Sequence, residues 1–507
     1  MNTDNEIKTI VETENLDIEN KTEENINITE NAEETKINYQ KPDKIFAFLS
    51  IALGFMLIKL VFWGGLGFGS AIFFTAVTTC CLVYFKLCNI KFDNGDKIRF
   101  VMLYLSSINF AIFDFSALKF YNFLFAGILL LYTCFCITRH DREKENMPSD
   151  LKTALFKMPT YKMGACSAAI SQSVSKTKFG TNIKYVLAGL FIAMPVFFVV
   201  LTLLSSADIM FESIFESIFE NISENSLFNI IQFLMAIPVG FMIFSVLYAN
   251  KTKAENDELF PLPKYKGSFN PIIIYSAILP IMLLYVIFFV SQLGYFFSAF
   301  QSVLPQGYSY AEYAREGFFE LCAVATINLF IIIVSYTVVK KENNKAPNGI
   351  KITISTLSVM TIMLIVTALS KMVMYISNFG LSRLRFYTSW FMVLLMLLFI
   401  YIIVKQFKES FRLYFTISAT FCIMFLSLIY CNVDYITARV NAQMYYSGYS
   451  DEVDVHMLDN MSDAVVPVLE ELRDNGYKPE LIDRLLVEDD QSRYNNWCEK
   501  SIVSLLY

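Results

Sequence analysis

The sequence predicts an all-α fold: a polytopic transmembrane helix bundle of about eleven spans, with a disordered cytoplasmic N-terminal tail and a small helical extracytoplasmic C-terminal segment. Three observations carry this. Of 507 residues, 55% are hydrophobic and only 17% are charged, which is not a soluble globular composition. The apolar residues come in runs of about 20, the length that crosses roughly 30 Å of hydrocarbon. Lys and Arg gather in every second connection, as the positive-inside rule requires of a multi-pass chain.

Residues 1–42 are the tail. Eleven acids and three lysines give residues 1–40 a net charge of −8, so the rest of the chain, out of a total of −6, is at +2. A segment so poor in apolar residues cannot offset its ordering entropy. Residues 43–430 are the bundle. Its first two spans, about Ile45 to Trp63 and Phe68 to Tyr84, are joined by the uncharged link GGLG. Spans three and four run from about Phe100 to Ala117 and Tyr121 to Ile137. A basic loop, Thr138 to Lys184, follows and is expected to lie on the anionic inner leaflet. Span five covers about Tyr185 to Leu204. In DIMFESIFESIFENISEN, Asp208 to Asn225, isoleucines and phenylalanines share one helical face and glutamates the other; such a helix lies in the interface or lids the bundle.

Spans six to eleven are expected at about Leu227 to Ala249, Pro271 to Phe296, Cys322 to Val339, Ile352 to Tyr375, Phe386 to Val404 and Phe411 to Tyr430. The loops after even-numbered spans hold nearly all the Lys and Arg. The opposite set holds only Lys119, Arg315, Arg383 and Arg385. The N-terminus is therefore expected in the cytoplasm and residues 431–507 outside it. In that last segment Ser462 can cap a short helix that Gly476 stops.

The polar site is expected where YAEYAREGFFEL, Tyr310 to Leu321, enters span eight. Glu312, Glu316 and Glu320 fall at i, i+4 spacing, with Arg315 beside them. Ionisable groups at the edge of a span are costly and mark function by default. Lys371, Arg383 and Arg385 sit at the same outer level on spans nine and ten, with Asp434 and Arg439 just after span eleven. The candidate ligand-binding set is Arg315, Glu316, Glu320, Lys371, Arg383 and Arg385, facing a small ligand or an envelope component. A structural salt-bridge network is the competing reading of the same residues. Asn328, two turns below Glu320, reads as glue between helices, and Asp114 in span three as an ion-path residue or a partner of Lys119.

Composition also excludes classes. No basic face points to nucleic acid. Ten cysteines contain no CxxC, and His140 and His456 are the two histidines, so no cofactor or metal is expected. Cys431 and Cys498 leave a disulfide in the outer segment open.

The stretches SADIMF, YAREGFFELCAVATINL, SKMVMYISNFGLSRLRFY, DYITARVNAQMY and DVHMLDNMSDAVVPVL, taken in this order along the chain from about residue 184 onward, resemble a family of bacterial multi-span membrane proteins. It is catalogued as a domain of unknown function, four-one-seven-three, with its relative four-one-five-three. Lys371 and Ser382 stand where that family carries arginine and threonine. The resemblance implies the architecture and brings no reaction with it. The function expected is that of a non-enzymatic envelope protein, transporter-like or sensory and regulatory. A polytopic transferase acting on a lipid-linked substrate is the alternative. It is disfavoured because GGLG puts no carboxylate in the first outer loop, where acid–base or metal chemistry would need one.

Overall fold

The computed structural model describes residues 39–113, 116–139, 147–174, 200, 224–255, 269–300, 318–340, 347–489 and 500–502. The tail up to residue 38, the expected fifth span but for residue 200, and the amphipathic segment but for its last two residues lie outside them. So do Asp114, Arg315, Glu316 and Cys498.

The chain is helical from Lys41 on, two residues ahead of the expected boundary. Helix α1 (Lys41–Met56) has Pro42 in its first turn, where a missing N–H costs nothing, and Asp43 accepts from the Gln40 amide at 2.9 Å. It runs through a π-helical turn, Leu57–Phe62. Gly65, at φ +82°, then reverses the chain into α2 (Phe68–Leu87). Helix α3 (Asn94–Ile112) opens on a reciprocal cap: Asp93 Oδ1 accepts from the Asp96 amide at 2.7 Å and Asp96 Oδ2 from the Asp93 amide at 2.9 Å. Helix α4 (Ser116–Ile137) returns beside it.

After α4 come α5 (Met147–Lys152), a π-helical turn (Thr153–Lys157), α6 (Met158–Tyr161) and α7 (Met163–Val174). The long spans α8 (Glu224–Glu255), α9 (Pro271–Phe300), α10 (Phe318–Val338), α11 (Asn348–Phe379), α12 (Arg383–Phe407) and α13 (Leu413–Tyr430) follow. The C-terminal segment is α14 (Val433–Tyr446), α15 (Val455–Asp459), α16 (Val466–Asp474) and α17 (Pro479–Asp489). The end of the bundle bearing α14 to α17 is called the upper end below, and the opposite one the lower end.

Nine helices among the described residues are long and apolar enough to cross a bilayer. They are the expected spans one, two, four and six to eleven. Helix α3 is the expected third span, 19 residues long, but Asp96, Lys97, Arg99, Ser106, Ser107 and Asn109 lower its apolarity. Those polar groups are used. Ser106 donates to Asn122 of α4 at 2.6 Å, and Asn109 to the Ile429 carbonyl of α13 at 2.9 Å. Such bonds join helices in a medium that offers no water.

Two cores result. Helices α1 to α4, α7, α8 and α13 share one, with Phe74, Tyr84, Phe110 and Phe244 buried in it. Helices α9 to α12 share the other, around Ile278, Leu357, Ile365 and Phe399. Trp390 of α12 packs against the first core and donates to the Met424 carbonyl of α13 at 3.2 Å, linking the two. In lipid, apolar burial by itself does not drive helices together; close packing does. The tightest crossing is α1 on α8. A Cβ on Gly54 would stand 2.4 Å from the Ala236 carbonyl oxygen, and one on Gly240 2.7 Å from the Ile51 Cα. Only glycine fits there. On the outside, α9 leaves Leu283, Leu284, Ile287 and Val290 about two-thirds bare, as a lipid-facing helix must.

The described part of the loop after α4, 147–174, folds into helices packed on α1 and α8. Cys166 and Ala169 are fully buried. Ser245 of α8 donates to the Met158 carbonyl at 2.9 Å and accepts from the Lys162 amide at 3.0 Å. The run MGACSAAIS is short of large apolar residues, yet its small side chains are what let α7 approach so closely.

Candidate functional site

At the upper end, sequence and fold bring the start of α12 to the C-terminal segment. Helix α11 ends where Gly380 takes φ +75°, a left-handed conformation that suits glycine. Ser382 then caps α12, so that Arg383 and Arg385 both lie in its first turn. Arg383 grips Asp434 of α14 with two parallel bonds, Nε to Oδ1 at 2.6 Å and Nη2 to Oδ2 at 2.7 Å. Its third nitrogen, Nη1, donates to the Asn460 carbonyl at 2.9 Å. Asp434, wholly buried, also accepts from the Ser462 amide at 2.9 Å. A fork-to-fork pair of this kind is among the strongest polar contacts available.

Beside it, Asn441 of α14 brackets the turn: its Oδ1 accepts from the Leu381 amide at 2.7 Å and its Nδ2 donates to the Leu381 carbonyl at 2.8 Å. A Cβ on Gly380 would meet Asn441 Oδ1 at 2.5 Å. Beyond these contacts the segment has a core of its own, with Ala442, Leu458, Val468, Leu472 and Ile482 buried. Ser462 precedes the short 3-10 turn Asp463–Val465 but makes no side-chain capping bond, whereas Gly476 follows α16 at φ +83°, at the expected stop.

The sequence-predicted site residues fall as follows. Arg383 and Arg385 share one turn. Arg385 donates to the Phe379 carbonyl at 2.9 Å and to that of Gly380, and stacks 4.1 Å from the Tyr375 ring centre. Lys371 is half-buried on α11. Glu320 is exposed in the first turn of α10 and, among the described residues, makes no ion pair. Arg315 and Glu316 are outside the described residues. The acid that meets Arg383 is thus Asp434. Asn328 behaves as glue: it accepts from Tyr285 of α9 at 2.7 Å and donates to Thr361 of α11 at 2.9 Å. Cys431 is an exposed free thiol.

The arrangement at Asp434 holds rather than reacts. Three donors engage the carboxylate, which leaves it ill-suited as a general base. Among the described residues, no three of His, Cys, Asp or Glu come together as metal ligands.

A second buried cluster, at the lower end, was not legible in the sequence. Asp43 of α1, 1% exposed, takes Lys251 Nζ of α8 on both oxygens, at 3.0 and 2.8 Å, and the Tyr84 hydroxyl of α2 at 2.8 Å. Tyr39, just ahead of α1, meets the Tyr248 ring at a 44° tilt, and Gln172 of α7 accepts from the Tyr39 amide at 2.9 Å. Burial first, then the negative charge of Asp43, raises the Tyr39 hydroxyl above its ordinary pKa. Asp43 and Lys251 are each read from sequence as charges just outside a span, 208 residues apart; nothing local announces their meeting.

Together the membrane-crossing helices make this an integral, multi-pass membrane protein. Residues 100–472, from α3 into α16, match the family described as domain of unknown function DUF4153, and the chain belongs to that family. This corrects the resemblance, which put four-one-seven-three first and the matching four-one-five-three second. No curated protein and no solved structure matches the chain.

Proposed function

We propose that this is a non-enzymatic envelope protein of the sensory or regulatory kind, with its N-terminus in the cytoplasm and its C-terminal helices outside. The observation that carries it is the Arg383–Asp434 latch, which ties a separately cored helical segment to the first turn of a membrane span. A segment docked this way can pass an outside event to α12 by staying docked or letting go. The charge asymmetry of the loops supports the orientation. Within this reading Glu320 and Lys371 belong to the ligand-facing part of the upper rim, open to a small ligand or envelope component, with Arg315 and Glu316, which lie outside the described residues, proposed to act with them. Arg383 and Arg385 anchor the segment and the turn beside it. Glu320, exposed and without an ion pair among the described residues, is the group on which such a ligand would act first.

The test uses a strain lacking the protein, complemented with the wild type, Asp434→Asn or Glu320→Gln, all present at equal levels. Both variants are expected to lose or lock the phenotype the wild type restores. Full complementation by Asp434→Asn, with the segment shown by proteolysis to be released, ends this reading.

A further inference from the structure

Three arginines converge at the lower end on a groove between α3, α4 and α13. Arg99 lies in the second turn of α3, Arg139 two residues past α4, and Arg412 directly ahead of α13. All three line a cavity of about 250 Å³. Arg99 pairs with Asp96 at 2.5 Å and Arg139 with Asp150 at 2.6 Å. Neither pair uses up its guanidinium. Arg99 Nε and Arg139 Nη2 are buried with no acceptor among the described residues, and the Arg139 side chain is only 10% exposed. Arg412 stacks 5.0 Å from the Phe415 ring centre. Asp93 also lines the cavity, so three cations stand near three carboxylates. Selection must therefore come from directed donors rather than bulk charge.

A guanidinium nitrogen buried without an acceptor is costly, and both arginines line the cavity with donors beyond their aspartate pairs to offer an entering oxyanion. The fork of donors on arginine matches phosphate oxygens in pairs. The remaining wall is apolar and runs along the spans, through Met102, Leu129 and Cys422. Ile98 and Phe415, both lining residues, are about half exposed. A cavity polar at the end of the helices and apolar along them suits an amphiphile.

We propose that this groove binds a phosphate ester, that of a membrane phospholipid headgroup, on Arg99, Arg139 and Arg412, with the start of the acyl chain along Met102, Leu129 and Cys422. The site is at the opposite end from the Arg383–Asp434 latch and does not depend on the role given to it.

The experiment takes the full-length protein, delipidated in detergent, and titrates it with dioleoyl phosphatidylglycerol under native mass spectrometry. Parallel thermal melts use inorganic phosphate. Arg99 and Arg139 are left alone, since each neutralises a buried aspartate. Arg412→Gln removes a cation, and Ser418→Leu fills the groove with no change of charge. Lys408→Gln, outside the groove, controls for net charge. Melts without lipid establish that each variant is folded. Wild type and Lys408→Gln are expected to hold one lipid alike, while Arg412→Gln and Ser418→Leu bind it at least about tenfold more weakly, the loss of one charge-assisted contact. Protection of the wild type by inorganic phosphate alone, lost in Arg412→Gln, would support the phosphate site and assign it to a soluble phosphate. Equal binding by wild type, Arg412→Gln and Ser418→Leu overturns the proposal.

Discussion

Two of the buried aspartate–cation pairs, Asp43 with Lys251 at the lower end and Asp434 with Arg383 at the upper end, are used differently. At the lower end Asp43 and Lys251 are both buried, their side chains 1% and 8% exposed, and the side chains that meet Asp43, those of Lys251 and Tyr84, belong to helices of the first core. At the upper end Asp434 is fully buried but Arg383 is 32% exposed, and what it holds is a segment with its own core. The first pair is a rivet and the second a latch. The difference follows from solvent. A cation shut away with its acid cannot be replaced by water, whereas one at an edge can exchange its partner for water at modest cost.

That contrast can be broken most sharply at Asp43. Asp43→Asn leaves Lys251 buried and uncompensated and is expected to lower stability by about 3–5 kcal/mol. It should appear as a large fall in the melting midpoint in detergent. Adding Lys251→Met should restore most of the loss. A double variant no better than the single would mean that the pair is not a rivet.

Asp434→Asn should act on the other end alone. Docking is expected to weaken by about 2–3 kcal/mol, the range for a charge-assisted contact. Limited proteolysis would then cut within 431–489 much sooner, with the melting midpoint of the span core unchanged. A fall in that midpoint comparable to the Asp43→Asn effect would erase the distinction between the two ends.

The smallest effect is expected at Arg439 and Glu471, which also pair at the upper end but are 38% and 42% exposed. Arg439→Ala should cost no more than about 1 kcal/mol, as exposed pairs do, and leave the proteolysis rate near wild type. A release as fast as that of Asp434→Asn would move the latch from Arg383 to Arg439.

Much of the fold could be read from the chain because lipid imposes so strict a pattern. The expected span Phe386 to Val404 lies inside Arg383–Phe407, and Pro271 to Phe296 inside Pro271–Phe300. Run length alone sets those elements. That Arg383, Arg385, Asp434 and Arg439 share one end of the bundle was legible too, the first two from breaking the loop pattern and the last two from following span eleven. Pairing was not. Arg383 finds Asp434, 51 residues on, and Asp43 finds Lys251 because α1 and α8 cross at Gly54 and Gly240. Such contacts are set by helix packing, which leaves only glycines as a trace. The small-residue helix α7 escaped for a related reason: alanine, glycine and serine read as weakly apolar, although they permit the closest approach.

The claim on which the rest stands is that the latched segment faces outward. The direct measurement is labelling of Cys431, exposed where α13 passes into α14, by a membrane-impermeant maleimide in intact cells. A Cys498→Ser background removes the other thiol of the segment, and Cys431→Ser supplies the blank. A cysteine placed at Lys97, at the lower end, is the control for the other side. Cys431 is expected to label in intact cells and the Lys97 position only after permeabilisation. Labelling of Cys431 only after permeabilisation would put the segment in the cytoplasm and contradict the proposed role.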